Sequence, residues 1–222
     1  MSIHKPGDQV LPMRIIVACD GGFLMKALKK EYQTKELAKK IHKWLTTDVP
    51  ESLARQKGRN SISLFRAYYY DCYPFTGRIF NPFTQKERNI QETSRKTFLE
   101  ALARMPSMSL RTGELFVNGW RLGSHKRDEM RGKNRMEVEA KDFEPIYAQK
   151  GVDIKLTLDA LQLLNTRVAD AMVFVTGDSD FVPLFEQIRQ SGVLVYLVPL
   201  GQGVAHSLLA SVDGTLEVKA EL

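Results

Sequence analysis

The residues best suited to chemistry are two aspartates, Asp178 and Asp180, which closely follow an apolar run from Ala171 to Val175. The run is rich in β-branched and aromatic residues, as is typical of a strand buried on both faces of a sheet. A single Asp here would most simply cap a helix, because Asp is a preferred N-cap residue. Two carboxylates this close repel each other unless a cation or a proton lies between them. The pair therefore indicates a site for a divalent cation.

The elements around this pair predict where it lies. Thr176-Gly177 ends the strand, and an apolar-periodic segment with Pro183 in its first turn then runs to Ser191-Gly192. This pattern predicts a helix that is capped by Ser179 or Asp180 and that ends at Gly192. The two carboxylates would then stand at the carboxyl end of a parallel strand, where open α/β sheets bind ligands.

Two earlier segments also end in a carboxylate. Residues 14–19 predict a strand that ends at Asp20-Gly21-Gly22, and residues 61–70 predict a strand that ends at Asp71. The apolar spacing over residues 23–46 predicts one or two amphipathic helices. The three tyrosines of the second strand, Tyr68 to Tyr70, could be core residues or a stacking platform for bases.

A further helix, over residues 150–165, carries two more aspartates. Asp153 lies near its N-terminus, where the helix dipole alone would favour it. Asp159 stands six positions later, about 120° around the helix, within an apolar run. A charge in such a run is normally paired, capped or bound to metal.

Strands that alternate with helices predict a three-layer α/β/α fold with a mainly parallel central sheet and right-handed crossovers. Residues 47–60 are expected to form a loop and residues 87–105 a helix. The pair Asn118-Gly119 predicts a hairpin turn. We expect one domain over residues 1–222, with a core of about 13–200 and a hairpin and basic-loop insertion at about 108–149. That loop contains Arg121, Lys126, Arg127, Arg131, Lys133 and Arg135.

The charge of the chain is unevenly distributed. Its 222 residues carry a net charge of +6, yet residues 1–150 hold 28 Lys and Arg against 17 Asp and Glu, and residues 151–222 hold 4 against 9. A basic surface beside an acidic pocket suits a polyanion that is gripped by its phosphates. The alternative is that the basic excess only provides solubility.

The sequence also bears on the compartment. No apolar run approaches the roughly 20 residues that cross a bilayer, and the N-terminal residues lack a signal-peptide pattern. We therefore expect a cytoplasmic protein without membrane contact. Cys19 and Cys72 form no metal-ligand spacing and are expected to be buried and reduced.

Taken together, these motifs resemble those of NYN-domain proteins of the LabA/DUF88 type, within the PIN-like ribonuclease superfamily. The resemblance covers roughly residues 13–200. It is carried by Asp20-Gly21, Tyr69-Tyr70-Asp71, Lys150-Gly151-Val152-Asp153, Leu158-Asp159, and Thr176-Gly177-Asp178-Ser179-Asp180-Phe181.

The resemblance implies a carboxylate cluster that holds Mg²⁺ or Mn²⁺ for phosphodiester hydrolysis, most simply of RNA, although DNA stays open. Asp20, Asp153, Asp178 and Asp180 would be the catalytic and metal-binding residues, with Asp159 as a further candidate ligand. Lys126, Arg127, Arg131, Lys133, Arg135, Lys150, Thr176 and Ser179 would contact the nucleic acid. In the family the first motif usually reads Asp-Gly-x-Asn, and here Phe23 stands in place of the Asn.

Two other functions remain open. Phe23 could have abolished catalysis, which would leave a module that binds RNA or a protein partner as a regulator. An Asp at a strand end is also the nucleophile of phosphatases that form an aspartyl-phosphate. Those enzymes usually carry a second Asp two residues later, and in this chain that position is Gly22. A homodimer could form through apolar residues around Phe116 and Trp120.

Overall fold

The computed structural model describes residues 11–29, 35–58 and 62–220. In its first half, β1 (Met13–Asp20) leads into α1 (Gly21–Ala27) and α2 (Lys35–Lys43). A π-helical turn (Trp44–Asp48) continues into α3 (Val49–Lys57), and β2 (Ile62–Cys72) follows. A small hairpin of β3 (Gly77–Asn81) and β4 (Lys86–Ile90) precedes α4 (Thr93–Ala103).

The second half begins with the long strand β5 (Met108–Leu122) and the short helix α5 (Ser124–Met130). It continues with β6 (Phe143–Lys150), α6 (Val152–Asn165), β7 (Ala171–Val175), α7 (Val182–Gln190) and β8 (Leu194–Leu197). The helix α8 (His206–Ala210) and the short strand β9 (Gly214–Thr215) are the last elements of the described part.

The central sheet has seven strands in the order β6-β5-β2-β1-β7-β8-β9. Neighbouring strands are parallel except for β5 and β6, which are antiparallel. Because β1, β2 and β7 are parallel neighbours, their carboxyl ends meet at one edge. Asp20 lies opposite Tyr70, and Cys19 lies opposite Val175.

Helices cover both faces of this sheet, so the predicted three-layer α/β/α fold is confirmed. Along β1 the side chains alternate between two cores: Val17 joins the core beneath α1 to α4, and Ala18 joins the core beneath α6 to α8. Burial on both faces explains why β1 and β7 read as unbroken apolar runs. Cys19 and Cys72 are buried thiols, as expected.

The predicted turn at Asn118-Gly119 is wrong. Both residues lie inside β5, where Val117 pairs with Tyr147 and Trp120 pairs with Pro145. Two residues of β5 therefore face a single residue of β6, and Gly119 has a φ of +94°. This is a β-bulge, in which a glycine supplies the positive φ. The hairpin closes only after Leu122.

Two further predictions fail for local reasons. Residues 49–57 form α3 rather than a loop, since Pro50 lies in the first turn, where it is tolerated, and Gly58 ends the helix in the left-handed conformation. Residues 86–90 form β4 rather than helix, because they pair with β3. Among the helices of the described ranges, none is both long and apolar enough to cross a bilayer.

Candidate active site

Asp20 is the last residue of β1 and the N-cap of α1. Its Oδ1 accepts a hydrogen bond from the backbone N–H of Phe23 at 3.0 Å. Burial first, and then the negative charges of Asp153 and Asp71, raise the pKa of Asp20 to about 6, against the opposing effect of the N–H groups of Phe23 and Gly22. A half-buried carboxylate is thus held in a negative field at the carboxyl end of the sheet.

Asp178 and Asp180 lie in the turn that follows β7. Asp178 donates its backbone N–H to Thr176 Oγ1 at 3.2 Å and accepts the N–H of Asp180 on its Oδ1 at 2.9 Å. Asp178, rather than Ser179 or Asp180, therefore caps the short 3₁₀ turn that leads into α7. Thr176 is fully buried, whereas both aspartates and Ser179 are exposed.

Asp153 is the second residue of α6 and follows Gly151, whose φ is +82°. Partial desolvation raises the pKa of Asp153, and the charges of Asp178 and Asp180 raise it further. The charge of Asp153 also raises the pKa of Asp20. Segments more than 130 residues apart in the sequence therefore contribute to one negative field.

These carboxylates lie in one negative electrostatic field, but they do not form a closed cage of metal ligands. Within residues 11–29, 35–58 and 62–220, no group of three or more His, Cys, Asp or Glu side chains is close enough together to hold a metal ion. Mg²⁺ does not require such a cage, because it keeps several waters and is commonly bound by one or two carboxylates together with substrate phosphates. Oxygen donors of this kind suit Mg²⁺ and Mn²⁺.

Asp159, the further candidate ligand, has a different environment. Arg111 donates to both of its carboxylate oxygens, with Nε at 2.6 Å from Oδ2, and the hydroxyl of Tyr70 donates to Oδ2 at 3.2 Å. The charge of this buried aspartate is therefore matched by an arginine, which explains its place in an apolar run. We therefore assign Asp159 to an ion pair with Arg111.

Two residues near Asp20 were not among the predicted site residues. Asp71 is buried at the end of β2, forms an ion pair with Arg95 and accepts the N–H of Cys72 at 2.7 Å. Its position after a strand was a signal that could have identified it. Gln149 of β6 places its side-chain amide beside Gly22, close to Asp20; its sequence context carried no signal.

Several of the predicted nucleic-acid-binding residues are paired with nearby acids. Lys126 and Lys133 flank Glu129 at 3.1 and 3.3 Å and lower its pKa, and Arg131 lies 3.3 Å from Asp128. The predicted basic loop thus begins as the short helix α5. Arg127, Arg135 and Lys150 are exposed, and Lys150 immediately precedes the Gly151 turn.

Residues 111–219 match the family model of the NYN domain. This chain carries an NYN domain. NYN domains are nuclease domains of the PIN-like group. The matched part includes Asp153, Asp178 and Asp180, whereas Asp20 and Asp71 lie before it.

Two individual proteins are similar to the chain. The protein MJ0482 of Methanocaldococcus jannaschii, described as uncharacterized, is 27% identical over 79 residues, which cover 36% of this chain and 33% of that protein. This chain thus aligns with only about a third of that relative. A crystal structure of VPA0982 from Vibrio parahaemolyticus, a protein of unknown function, has a TM-score of 0.47 and 13% identity over 96% of this chain and 97% of its own.

Phe23 packs against the turn that leads to Asp178. A Cβ on Gly177 would stand only 2.6 Å from the Phe23 ring, so the ring lies directly on the backbone that precedes Asp178. Phe23 also packs against the core beneath α1 to α4. The side chain that replaces the Asn of the resemblance therefore has a packing role, and it needs a glycine at position 177.

Proposed function

We propose that this NYN domain is a metal-dependent nuclease of the LabA/DUF88 type that hydrolyses phosphodiester bonds in RNA. The observation that supports this most is the negative field shared by Asp20, Asp153, Asp178 and Asp180 at the carboxyl ends of β1 and β7. Burial and this field together raise the pKa of Asp20 and of Asp153, and a cation bound there would favour their charged forms.

The donor set fits a hard divalent cation. Asp20, Asp153, Asp178 and Asp180 would hold Mg²⁺ or Mn²⁺, directly or through water, together with phosphate oxygens of the substrate. Such an ion stabilises the charge that builds on the phosphate oxygens and promotes ionisation of water. We propose that Asp159 has no part in this.

The residues of the chain have separate tasks in this proposal. The hydrogen bonds that Asp20 and Asp178 accept from backbone N–H groups fix their carboxylates. Thr176 holds the backbone of Asp178. Lys150, Ser179 and the exposed basic residues of 126–135 would contact phosphates, which position a strand without reading its sequence.

The test is cleavage of labelled single-stranded RNA with and without Mn²⁺. We expect products with Mn²⁺ only, and a loss of at least about a hundredfold in Asp20→Asn and in Asp178→Asn. Asp170→Asn is the control, because Asp170 is a partly exposed aspartate at the opposite end of β7. Unchanged cleavage in the two site variants would refute the assignment.

A second function is favoured by Phe23, an apolar ring at a position where the resemblance implies a polar group. We propose as the alternative a module that binds RNA without cleaving it. It would bind in a salt-sensitive manner, lose binding on charge reversal within residues 126–135, and yield no product with any divalent metal.

A further inference from the structure

A cleft of about 230 Å³ lies beside the acidic site, between the start of α4 and the β5–β6 hairpin. Its walls include Phe75, Glu92, Arg95, Leu115, Tyr147 and Gln149. Sites for drug-sized ligands usually measure about 300–1,000 Å³. This cleft is smaller, so it suits a single ring system.

One wall of the cleft is aromatic. The rings of Phe75 and Tyr147 are in contact, with centroids 6.3 Å apart and planes inclined by 45°. Tyr147 remains 42% exposed although it is a large ring. An exposed aromatic face of this kind offers a surface on which a nucleobase stacks, whatever the base.

The polar groups of the cleft suit the edge of a neutral base better than a phosphate. The positive charge of Arg95 is matched by Asp71, and Glu92 adds a negative charge. The cleft therefore has no excess of positive charge to attract a phosphate. Glu92, Arg95 and the amide of Gln149 together supply hydrogen-bond donors and acceptors, which is what the edge of an unpaired base requires.

Two of these residues connect the cleft to the acidic site. The side-chain amide of Gln149 and Oδ1 of Asp20 both lie within 4.0 Å of the point where a Cβ on Gly22 would stand. Arg95 pairs with Asp71, whose charge acts on Asp20. A nucleotide whose base occupies the cleft would therefore have its phosphate next to the carboxylates.

We propose that this cleft binds one unpaired nucleobase next to the phosphate that is cleaved, so that the substrate class is single-stranded nucleic acid. The inference rests on the proposed nuclease function and deepens it. A paired base is stacked inside its duplex and must first be flipped out to enter such a pocket, which costs free energy. Duplex of the same sequence should accordingly bind less tightly.

The test measures binding of short labelled RNA by fluorescence anisotropy, with EDTA present so that no cleavage occurs. Tyr147→Ala should weaken binding about fivefold to a hundredfold, since a stacked base contributes about 1–3 kcal/mol and 1.4 kcal/mol is tenfold. Tyr147→Phe, which keeps the ring, should bind like the wild type. Phe65→Ala is the matched control, because Phe65 is a 45% exposed ring on the amino-terminal half of β2.

A panel of RNAs that each lack one base completes the test. With the wild type, removal of one particular base should weaken binding by at least the factor seen for Tyr147→Ala, and Tyr147→Ala should cause no further loss on that RNA. If Tyr147→Ala binds like Phe65→Ala, if no base matters, or if duplex binds equally well, the cleft proposal is overturned while Mn²⁺-dependent cleavage still supports the nuclease. A wild type that neither binds nor cleaves RNA overturns both.

Discussion

Asp20 illustrates how a single residue can serve function at a cost in stability. It needs its charge to hold a cation, yet it is half-buried near Asp153 and Asp71, and its pKa rises to about 6. In the unfolded chain an Asp has a pKa near 3.9. The folded protein therefore binds the proton more tightly, so stability falls as pH rises from about 4 to about 6 and stays low above that.

Asp20→Asn should consequently stabilise the protein while abolishing cleavage. The amide keeps an oxygen that can accept the N–H of Phe23, and it removes the buried charge. We expect a gain in the free energy of unfolding of about 1–3 kcal/mol at pH 7.5, shrinking towards zero at pH 4. Denaturant unfolding at both pH values is the measurement. Asp170→Asn should gain nothing, and a gain for Asp20→Asn that is equal at both pH values would contradict the explanation.

The sequence identifies a site residue only where the pattern of its near neighbours marks it. Asp20, Asp178 and Asp180 follow strands that are recognisable by composition alone, and Asp71 does as well. Asp159 was ambiguous because its partner, Arg111, lies 48 positions away on β5. Gln149 and Arg95 reach the site only through the pairing of β5 with β6 and the packing of α4, which no local pattern reveals.

At the scale of elements, the connection from β6 to α6 determines where Asp153 lies. Gly151 makes this turn with a φ of +82° and a ψ of 3°, and a Cβ placed there would meet no atom within 4 Å. A substitution at this position would therefore act through the backbone alone. An L-residue in this left-handed conformation costs about 1–2 kcal/mol.

Gly151→Ala should lower stability by about 1–2 kcal/mol and cleavage by about tenfold or more, because small displacements of catalytic groups are costly. Gly58→Ala is a matched control: Gly58 has a φ of +58°, a Cβ there meets nothing within 4 Å, and it ends α3. It should lose similar stability and keep full activity. Thermal unfolding and RNA cleavage together separate the two effects. Equal activity losses in both variants would show that Gly151 does not position Asp153.

The elements also differ in how well the sequence predicts them. β1 and β7 were predictable because burial on both faces leaves a continuous apolar run. The Asn118-Gly119 pair misled because its turn preference is outweighed by the pairing that continues to Leu122 opposite β6. Likewise, Phe83, in the turn between β3 and β4, contacts Trp120 of β5 and Phe143 of β6. Contacts between residues so distant in sequence leave no local pattern from which they could be predicted.

At the scale of the whole molecule, a parallel sheet brings distant acidic segments to one edge. The basic excess lies in residues 1–150 and the acidic excess in residues 151–222, yet Asp20 belongs to the basic part and joins the acidic edge. The fold thus places negative carboxylates within a chain whose overall charge attracts polyanions. A cation at that edge would offset the negative charge of the carboxylates, so that a phosphate could approach them without repulsion.

The central claim is that these carboxylates hold a divalent cation, and a crystal soaked in Mn²⁺ tests it most directly. The anomalous signal of the metal reports its position without reference to activity. Our account predicts a Mn²⁺ ion bound directly or through water by Asp20 and Asp178, with Asp153 or Asp180 nearby and none at Asp159. An ion bound away from these residues, or no ion at concentrations that saturate other Mn²⁺-dependent nucleases, would contradict it.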